Sequence, residues 1–386
     1  MNILFYNFGS YTYPDINEYL VSHGHLVDTF FYPIKDRLID PTFCEQFEAK
    51  FKSKNYDFVF SVNFFPLVAK ICNERNLPYL SWSYDSPLSE DLIPYFHFDT
   101  NIICLFDYEE VRRFNAKGYS NVHHVPLAVN TNRLEKLLSN NKNNQKYASD
   151  ISFVGSLYKP DLAALMYPMN DYHKGYINAL VTAQLPLYGF DIISNAIDDA
   201  IVEEINKDYV NFGQKNISIS KTGLIYGIQK ELTHIDRVTL IEELSYIAPL
   251  DFYSFDKYDF PSSVKNKGTV SYRDELPFVF ANSKLNLCPT LRSILSGIPL
   301  RALDIMACGG VLFSNYQAEL AANYEDGKDC IMYSSPEEAI EKAEFYLKNT
   351  ALLDEIALAG KSKVVESNSY DTIMPALLNM IYSHIS

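Results

Sequence analysis

The chain has 386 residues, more than one ordinary core holds, so two domains of usual size are expected. Its make-up, 47% hydrophobic and 21% charged, is that of a packed globular protein and excludes a disordered one. The formal charge of −15 disfavours non-specific nucleic-acid binding, which needs Lys and Arg to neutralise phosphates, and leaves no obvious basic face for an anionic membrane.

NILFYNF (2–8) reads as a buried strand, followed by a helix around 14–23 and by HLVDTFFY (25–32) as the next strand. A helix near 43–54 leads to the strand YDFVFSVN (56–63). PLVAKICNER (66–75), PYLSWSYD (78–85), NIICLFD (101–107), a helix at 108–117 and VHHVPLAV (122–129) continue the alternation, which implies βαβ units on a parallel sheet. The polar, Asn-rich LSNNKNNQK has no apolar period and reads as the core of an interdomain linker, 131–150. ISFVGS (151–156) then opens a second domain.

That domain starts with an insert, 161–247, that reads as mostly helical, with Ile235, Val238, Ile241, Leu244 and Ile247 on one face of its last helix. Strands PLDFYSF (249–255), KGTVSY (267–272), KLNLCP (284–289), GGVLFS (309–314) and DCIMYS (329–334) follow, with helices at 274–282 and 298–307 between them. Ser335 fits an N-cap, Pro336 the first turn and Glu338 the capping-box position of the next helix. Helices at about 350–366 and 371–385 close the chain. The six cysteines form no Cys-x-x-Cys pair, and Cys72, Cys104, Cys288 and Cys308 lie in or beside apolar runs, as reduced core residues do. The opening MNILFYNFG lacks a basic, then apolar, leader pattern, and no apolar span reaches about 18 residues. A cytoplasmic protein with no membrane span is the expectation.

Ligands of open parallel sheets bind beyond the carboxyl ends of the strands. Neither Asn7-Phe8-Gly9 nor Phe153-Val154-Gly155 continues into a Gly-x-Gly-x-x-Gly fingerprint, and no phosphate-binding P-loop occurs, so dinucleotide enzymes and P-loop kinases are disfavoured. His-Glu-x-x-His and Gly-x-Ser-x-Gly are absent too, which leaves zinc and serine hydrolases without support. No Asp-x-Asp pair ends a strand, so neither a metal nor a cofactor is expected. The richest segment is KLNLCPTLRSILSGIPLRALDIMACGGVLFS (284–314). A strand ends, a loop passes Gly297, and a helix starts near Pro299, whose missing N–H suits a first turn. The N–H groups of that turn, around Gly297, Ile298, Pro299 and Leu300, suit a diphosphate. Arg301 and Asp304 are three apart and share a face, the arginine placed for phosphate and the carboxylate for ribose hydroxyls. The plainer alternative is a surface ion pair on a packing helix.

SGIPLRALDIMACGGVLFSNYQAEL and YEDGKDCIMYSSPEEAIEKAEFYL resemble the nucleotide-sugar-binding half of CgeB-like glycosyltransferases. SWSYDSP (81–87), HVPLAVN (124–130) and ISFVGSLY (151–158) resemble further motifs of the same group in the same order. The resemblance implies a GT-B fold, α/β, with two Rossmann-like domains. The acceptor domain would be 1–130 and the donor domain 151–370, with 371–386 crossing back to the first. It implies transfer of a sugar from a nucleotide donor, UDP-linked as the first guess, to a glycan, glycoprotein or other cell-surface acceptor in the cleft, without a required metal. Ser156, Lys159, Arg292 and Arg301 become candidates for the diphosphate, and Tyr272 and Arg273 for covering the base. Asp85, at the end of its strand, becomes a candidate base or hydroxyl-orienting residue, with a turn cap as its structural alternative. Asp107 is the second acid, and Trp82 with Tyr84 is a candidate sugar platform. The loop Asn7 to Tyr11 lines the cleft in this reading, while His23 and His25 sit in a structural turn. Related retaining enzymes carry two glutamates eight apart; here the second is Asp304 and the first position is Ser296. That departure keeps a degenerate, non-catalytic partner subunit among the alternatives, beside a nucleotide-sugar 2-epimerase and an exported sugar-binding protein.

Overall fold

The computed structural model describes residues 1–139 and 145–385; the middle of the Asn-rich tract, 140–144, lies outside the described residues. The chain divides into two compact units, Met1–Thr131 with Glu366–Ser386, and Asn132–Val365.

The first unit runs β1 (Asn2–Asn7), α1 (Tyr13–Ser22), β2 (Leu26–Phe31), α2 (Pro41–Ser53), β3 (Phe58–Val62), α3 (Pro66–Glu74), β4 (Tyr79–Ser83), β5 (Asn101–Leu105), α4 (Tyr108–Ala116) and β6 (Val122–His124). The strands form one parallel sheet in the order β2-β1-β3-β4-β5-β6. Every residue of β3, β4 and β5 is buried, as expected of parallel strands covered on both faces. Aromatic rings fill the space under the helices: Tyr6 meets Phe43 and Phe65 edge-on with centroids 5.2 and 4.8 Å apart. Trp82, a candidate sugar platform, is fully buried and packs against Tyr84 and Tyr370, so it is a core residue. Only Val122–His124 of the expected strand 122–129 joins the sheet. Leu127 and Val129 bond instead to a returning segment at Asn368, Ser369 and Tyr370.

In the second unit, α5 (Thr131–Ser139) begins within the stretch expected as a linker, because Leu134 and Leu138 are four apart and bury together. β7 (Ser149–Val154) follows. The helical insert comprises α6 (Leu162–Met166), α7 (Asp171–Gln184), α8 (Ile193–Ala196), α9 (Asp199–Asn211) and α10 (Lys221–Ser245). It has its own core of Ile177, Ile193, Ile205, Leu224, Ile228 and Leu232. The far half of α10 places Val238, Leu240, Ile241 and Leu244 in the core of the sheet instead. One 25-residue helix therefore serves both cores.

The chain continues through β8 (Leu250–Tyr253), β9 (Val264–Gly268), α11 (Leu276–Asn282), β10 (Ser283–Leu287), α12 (Leu300–Ala307), β11 (Leu312–Asn315), α13 (Ala318–Asn323), β12 (Ile331–Tyr333), α14 (Pro336–Lys348) and α15 (Thr350–Ser367). The sheet is parallel, in the order β12-β11-β10-β7-β8-β9. The strand expected at 267–272 lies earlier, since β8 pairs from Leu250↔Val264 to Tyr253↔Gly268 and Gly268 turns the chain away at φ +72°. Ser335 caps α14 by accepting from Glu338 N, and the Glu338 carboxylate accepts from Ser334 N. Between α12 and β11, Gly309 takes φ +74°, and a Cβ on Gly310 would lie 2.5 Å from Phe280 O; the Gly-Gly pair meets a dihedral and a spatial demand in turn.

The last helix, α16 (Tyr370–Ile385), belongs to the first unit. Its start is fixed by a bridge between Val129 and Ser369, and Met380 reaches Cys104 with sulfurs 3.8 Å apart. All six cysteines are free, and no described helix is long and apolar enough to cross a membrane.

Glu110, in the first turn of α4, is buried and accepts from Ser86 Oγ at 2.9 Å and Leu88 N at 2.6 Å. Burial, reinforced by the Asp107 charge, pushes its pKa up to about 7 from 4.5. A carboxyl raised in the fold favours folding while protonated, and that contribution is lost as pH rises from about 4.5 through about 7. Wild type should therefore lose thermal stability relative to Glu110→Gln as pH rises across that window. A melting-temperature difference between the two that is flat in pH would show that Glu110 titrates normally.

Candidate functional site

In the second sheet the chain leaves β7 for β8 and β9 on one side, then returns to β10, β11 and β12 on the other. β7 and β10 are adjacent, so winding reverses between them, and the crevice at their carboxyl ends is where open α/β sheets bind ligands. Two loops meet there: Gly155 to Lys159 after β7, and Cys288 to Pro299 after β10.

Arg237, on α10, joins the two loops. Its Nη1 donates to Ser156 O and its Nη2 to Pro289 O at 2.8 Å. The guanidinium lies 4.9 Å from the Tyr158 ring centroid and 5.5 Å from that of Phe153. Tyr158 takes φ +53°, a left-handed conformation uncommon outside glycine, and such outliers gather at functional loops. Asp256 fixes the same loop by accepting from Ser156 Oγ at 2.8 Å and from Leu157 N. Arg237 Nε is buried with no hydrogen-bond partner. Burial lowers the Arg237 pKa, and the nearby Arg301 charge acts in the same direction.

Arg301 is the second residue of α12. Pro299 caps this helix with an extended backbone, ψ 149°, rather than occupying its first turn, so the free N–H groups begin at Leu300. The Arg301 guanidinium lies 5.6 Å from the Phe280 centroid, and its Nη1 is buried without a partner. Burial of Asp304 removes the plainer reading of the two as a surface ion pair. Asp304, one turn along, is buried and accepts from the Tyr272 hydroxyl at 3.1 Å. Cys288, at the end of β10, feels all three charges: burial raises its thiol to about 11, Arg237 and Arg301 pull it down, and Asp304 pushes it up. Two guanidinium groups and a helix N-terminus thus converge on the crevice, with a carboxylate behind them.

The other candidates divide. Ser156 turns its hydroxyl onto Asp256, and Lys159 is exposed with no ion pair among the described residues. Arg273 gives its carbonyl to Arg133 Nη1 at 3.2 Å. Gly297 and Ile298 are buried in the loop that leads into α12. Arg292 is a correction: it pairs with Asp236, donates to Leu185 O and Leu187 O, and stacks 3.9 Å over Tyr188. Its side chain is 8% exposed and its donors hold the insert, so nothing is left for a phosphate. Sequence reasoning missed Arg237, which lies 47 residues before the motif segment at 284–314 and had no local signal. It also missed Glu319, whose carboxylate accepts from Ser296 Oγ at 2.7 Å and whose N–H donates to Ser296 O at 3.1 Å. The fold therefore brings an acid to the position where the sequence has a serine. Its signal was its place just beyond a strand end.

In the first unit, Asp85 is exposed beyond β4, and its carboxylate accepts from Asn63 Nδ2 at 2.7 Å. Asn63, at φ +64°, also accepts from Tyr84 N at 2.8 Å, so it sets the Asp85 loop from the end of β3. Asp107 is fully buried and caps α4 by accepting from Glu109 N and Glu110 N. Burial and capping make it a structural residue rather than an accessible acid.

Asp304→Asn keeps the shape and the acceptor for Tyr272 but removes the charge. If the crevice holds the nucleotide expected from the sequence, the variant should weaken UDP binding by about 1–3 kcal/mol in titration calorimetry while leaving the melting temperature nearly unchanged. Unaltered affinity would make Asp304 a packing residue only.

Residues 236–379 match the family model described as glycosyl transferase-like. No curated protein matches the chain by sequence. Among solved structures, it is similar to sucrose-phosphate synthase from Thermosynechococcus elongatus, at 12% identity over 99% of each chain and a TM-score of 0.57. It is similar to a UDP-forming α,α-trehalose-phosphate synthase from Burkholderia xenovorans, at 12% identity over 100% of this chain and 99% of that one, with a TM-score of 0.55. Anabaena HepE in complex with UDP and glucose matches at 11% identity over 99% of this chain and all of the other, with a TM-score of 0.51. With two six-stranded parallel sheets and a glycosyl transferase-like segment that lies mostly in its second unit, the chain has the GT-B glycosyltransferase fold.

Proposed function

We propose that the chain transfers a glycosyl group from a UDP-sugar to a hydroxyl of a glycan or protein acceptor, as a CgeB-like member of the glycosyltransferases. The observation that carries this reading is the pair Arg237 and Arg301. Each has a buried guanidinium nitrogen without a partner, and among the described residues neither is paired with a carboxylate, at the winding reversal of the donor-side sheet. A dianionic diphosphate in the crevice balances the two positive charges. Asp304 then faces the ribose hydroxyls, its carboxyl oxygens placed to accept hydrogen bonds from them.

In the transfer, the acceptor oxygen forms a bond to the anomeric carbon, and the bond from that carbon to the diphosphate oxygen breaks. The nucleoside diphosphate leaves with the bonding electrons, and the acceptor proton passes to a base. Charge grows on the leaving diphosphate, where fixed guanidinium groups and helix N–H dipoles act without reorganisation. Asp85 is the proposed base or orienting acid on the acceptor side, held by Asn63.

UDP should raise the melting temperature by mass action, to the same extent with and without EDTA, because the arginines balance its charge. Arg301→Gln should weaken that binding by about 1.5–3 kcal/mol, the range for a hydrogen bond to a charged group. Loss of binding in EDTA, or full affinity in the variant, would overturn this account of the diphosphate.

Asp85→Asn retains an acceptor for Asn63 and should leave UDP affinity unchanged. If Asp85 is the base, turnover with acceptor falls by roughly 10²–10⁴-fold. Wild-type turnover would remove it from the reaction.

A further inference from the structure

The first sheet has a winding reversal of its own. From β1 the chain goes out to β2 on one side, then to β3, β4, β5 and β6 on the other. β1 and β3 are therefore adjacent, and the crevice at their carboxyl ends is a place for a ligand. The residues assigned to the nucleotide all belong to the second unit.

Three loops border this crevice: Phe8 to Thr12 after β1, Tyr32 to Asp40 after β2, and Asn63 to Phe65 after β3. Tyr32 N donates to Asn7 O at 3.1 Å, so the β2 loop starts beside the end of β1. Gly9 turns the first loop at φ +106°, and a Cβ built there would meet no atom within 4 Å, so this loop faces open space. Phe8 and Phe65 pack against each other with ring centroids 5.1 Å apart.

Arg37 reaches across. It belongs to the loop after β2, yet its guanidinium lies 5.6 Å from the centroid of Phe65, beyond β3. In the order β2-β1-β3 it therefore passes over the end of β1. Phe65 is buried and Arg37 is exposed, so a core ring anchors a guanidinium whose N–H fork meets solvent. Among the described residues Arg37 forms no ion pair. The carboxylates of its own loop are engaged elsewhere: Asp36 accepts from Leu38 N and Ile39 N, and Asp40 from Lys35 N, Phe43 N and the Tyr32 hydroxyl. Lys35, also exposed, adds a second positive charge to the loop.

The short segment 63–65 thus has an arginine at one end and an acid at the other, because Asn63 holds the Asp85 carboxylate. The acid suits a hydroxyl. The planar, permanently charged fork suits a carboxylate or a phosphate, and a neutral sugar has no group to match it. We propose, on the reading of the chain as a glycosyltransferase, that the acceptor hydroxyl belongs to a sugar with an anionic substituent, held by Arg37 while the hydroxyl lies at Asp85.

The test uses the full chain with saturating UDP, so that the donor-side arginines are occupied. Glucose 6-phosphate, mannose 6-phosphate, glucuronate and galacturonate are titrated beside the neutral methyl glycosides of glucose, mannose and galactose. At least one anionic sugar should bind about tenfold or more tightly than its neutral counterpart, an advantage that shrinks as salt is raised. Which pair shows it, phosphates or uronates, names the anion. Arg37→Gln, at an exposed position, should abolish the advantage and leave the melting temperature and UDP affinity unchanged. No preference for any anionic sugar, or a preference that survives in Arg37→Gln, overturns the proposal. UDP affinity is read in its own titration, so its absence would overturn the donor reading, while the response of the sugars to Arg37→Gln decides this one.

Discussion

Strands β7 and β10 lie side by side although the insert, β8 and β9 separate them in sequence, and at their carboxyl ends two backbone carbonyls, Ser156 and Pro289, project beyond the ladder. Arg237 binds both. A single guanidinium thus ties together the two loops that a parallel sheet necessarily sends in opposite directions at its winding reversal. Its planar fork matches two divergent acceptors, which an ammonium on a flexible stem would hold less firmly. The same charge, with Arg301 nearby, gives the crevice its sign. One side chain thus contributes both to the order of the loops, beside Asp256, and to the electrostatics of the site, beside Arg301.

That side chain comes from an unusual source. α10 has its first half in the core of the insert and its second half in the core of the sheet. Asp236 and Arg237 are consecutive, so about 100° of helix rotation separates them. Asp236 turns to Arg292 and fixes the insert, while Arg237 turns to the crevice. The insert is therefore coupled to the site by helix geometry.

The first unit uses comparable means to hold its exposed acid. Asn63, in a left-handed conformation at the end of β3, takes the Asp85 carboxylate and two backbone N–H groups. Glu110 holds the following residues at Ser86 and Leu88 from beneath. A buried carboxyl that titrates near neutrality thus sits under the loop that presents Asp85. Trp82 and Tyr370 lock α16 to the back of the same sheet region.

Local patterns in the sequence determined the architecture. Apolar runs such as FVFSV and IICL are buried on both faces wherever they are placed in a parallel sheet, and capping signals such as Ser335-Pro336-Glu337-Glu338 act over one turn. Arg301 and Asp304 could be read because a helix of known register puts residues three apart on one face. Long-range proximity was decided only by the tertiary structure. Arg237 reaches Pro289 across 52 positions, Ser296 finds Glu319 across 23, and Arg292 turns 56 positions back to Asp236 instead of to a ligand. Asp85 and Asp107 occupy equivalent places after neighbouring strands, yet one is exposed and the other is a buried cap. Periodicity records which face of an element is apolar, but partner choice depends on how separate elements pack, and a single sequence carries no local trace of that.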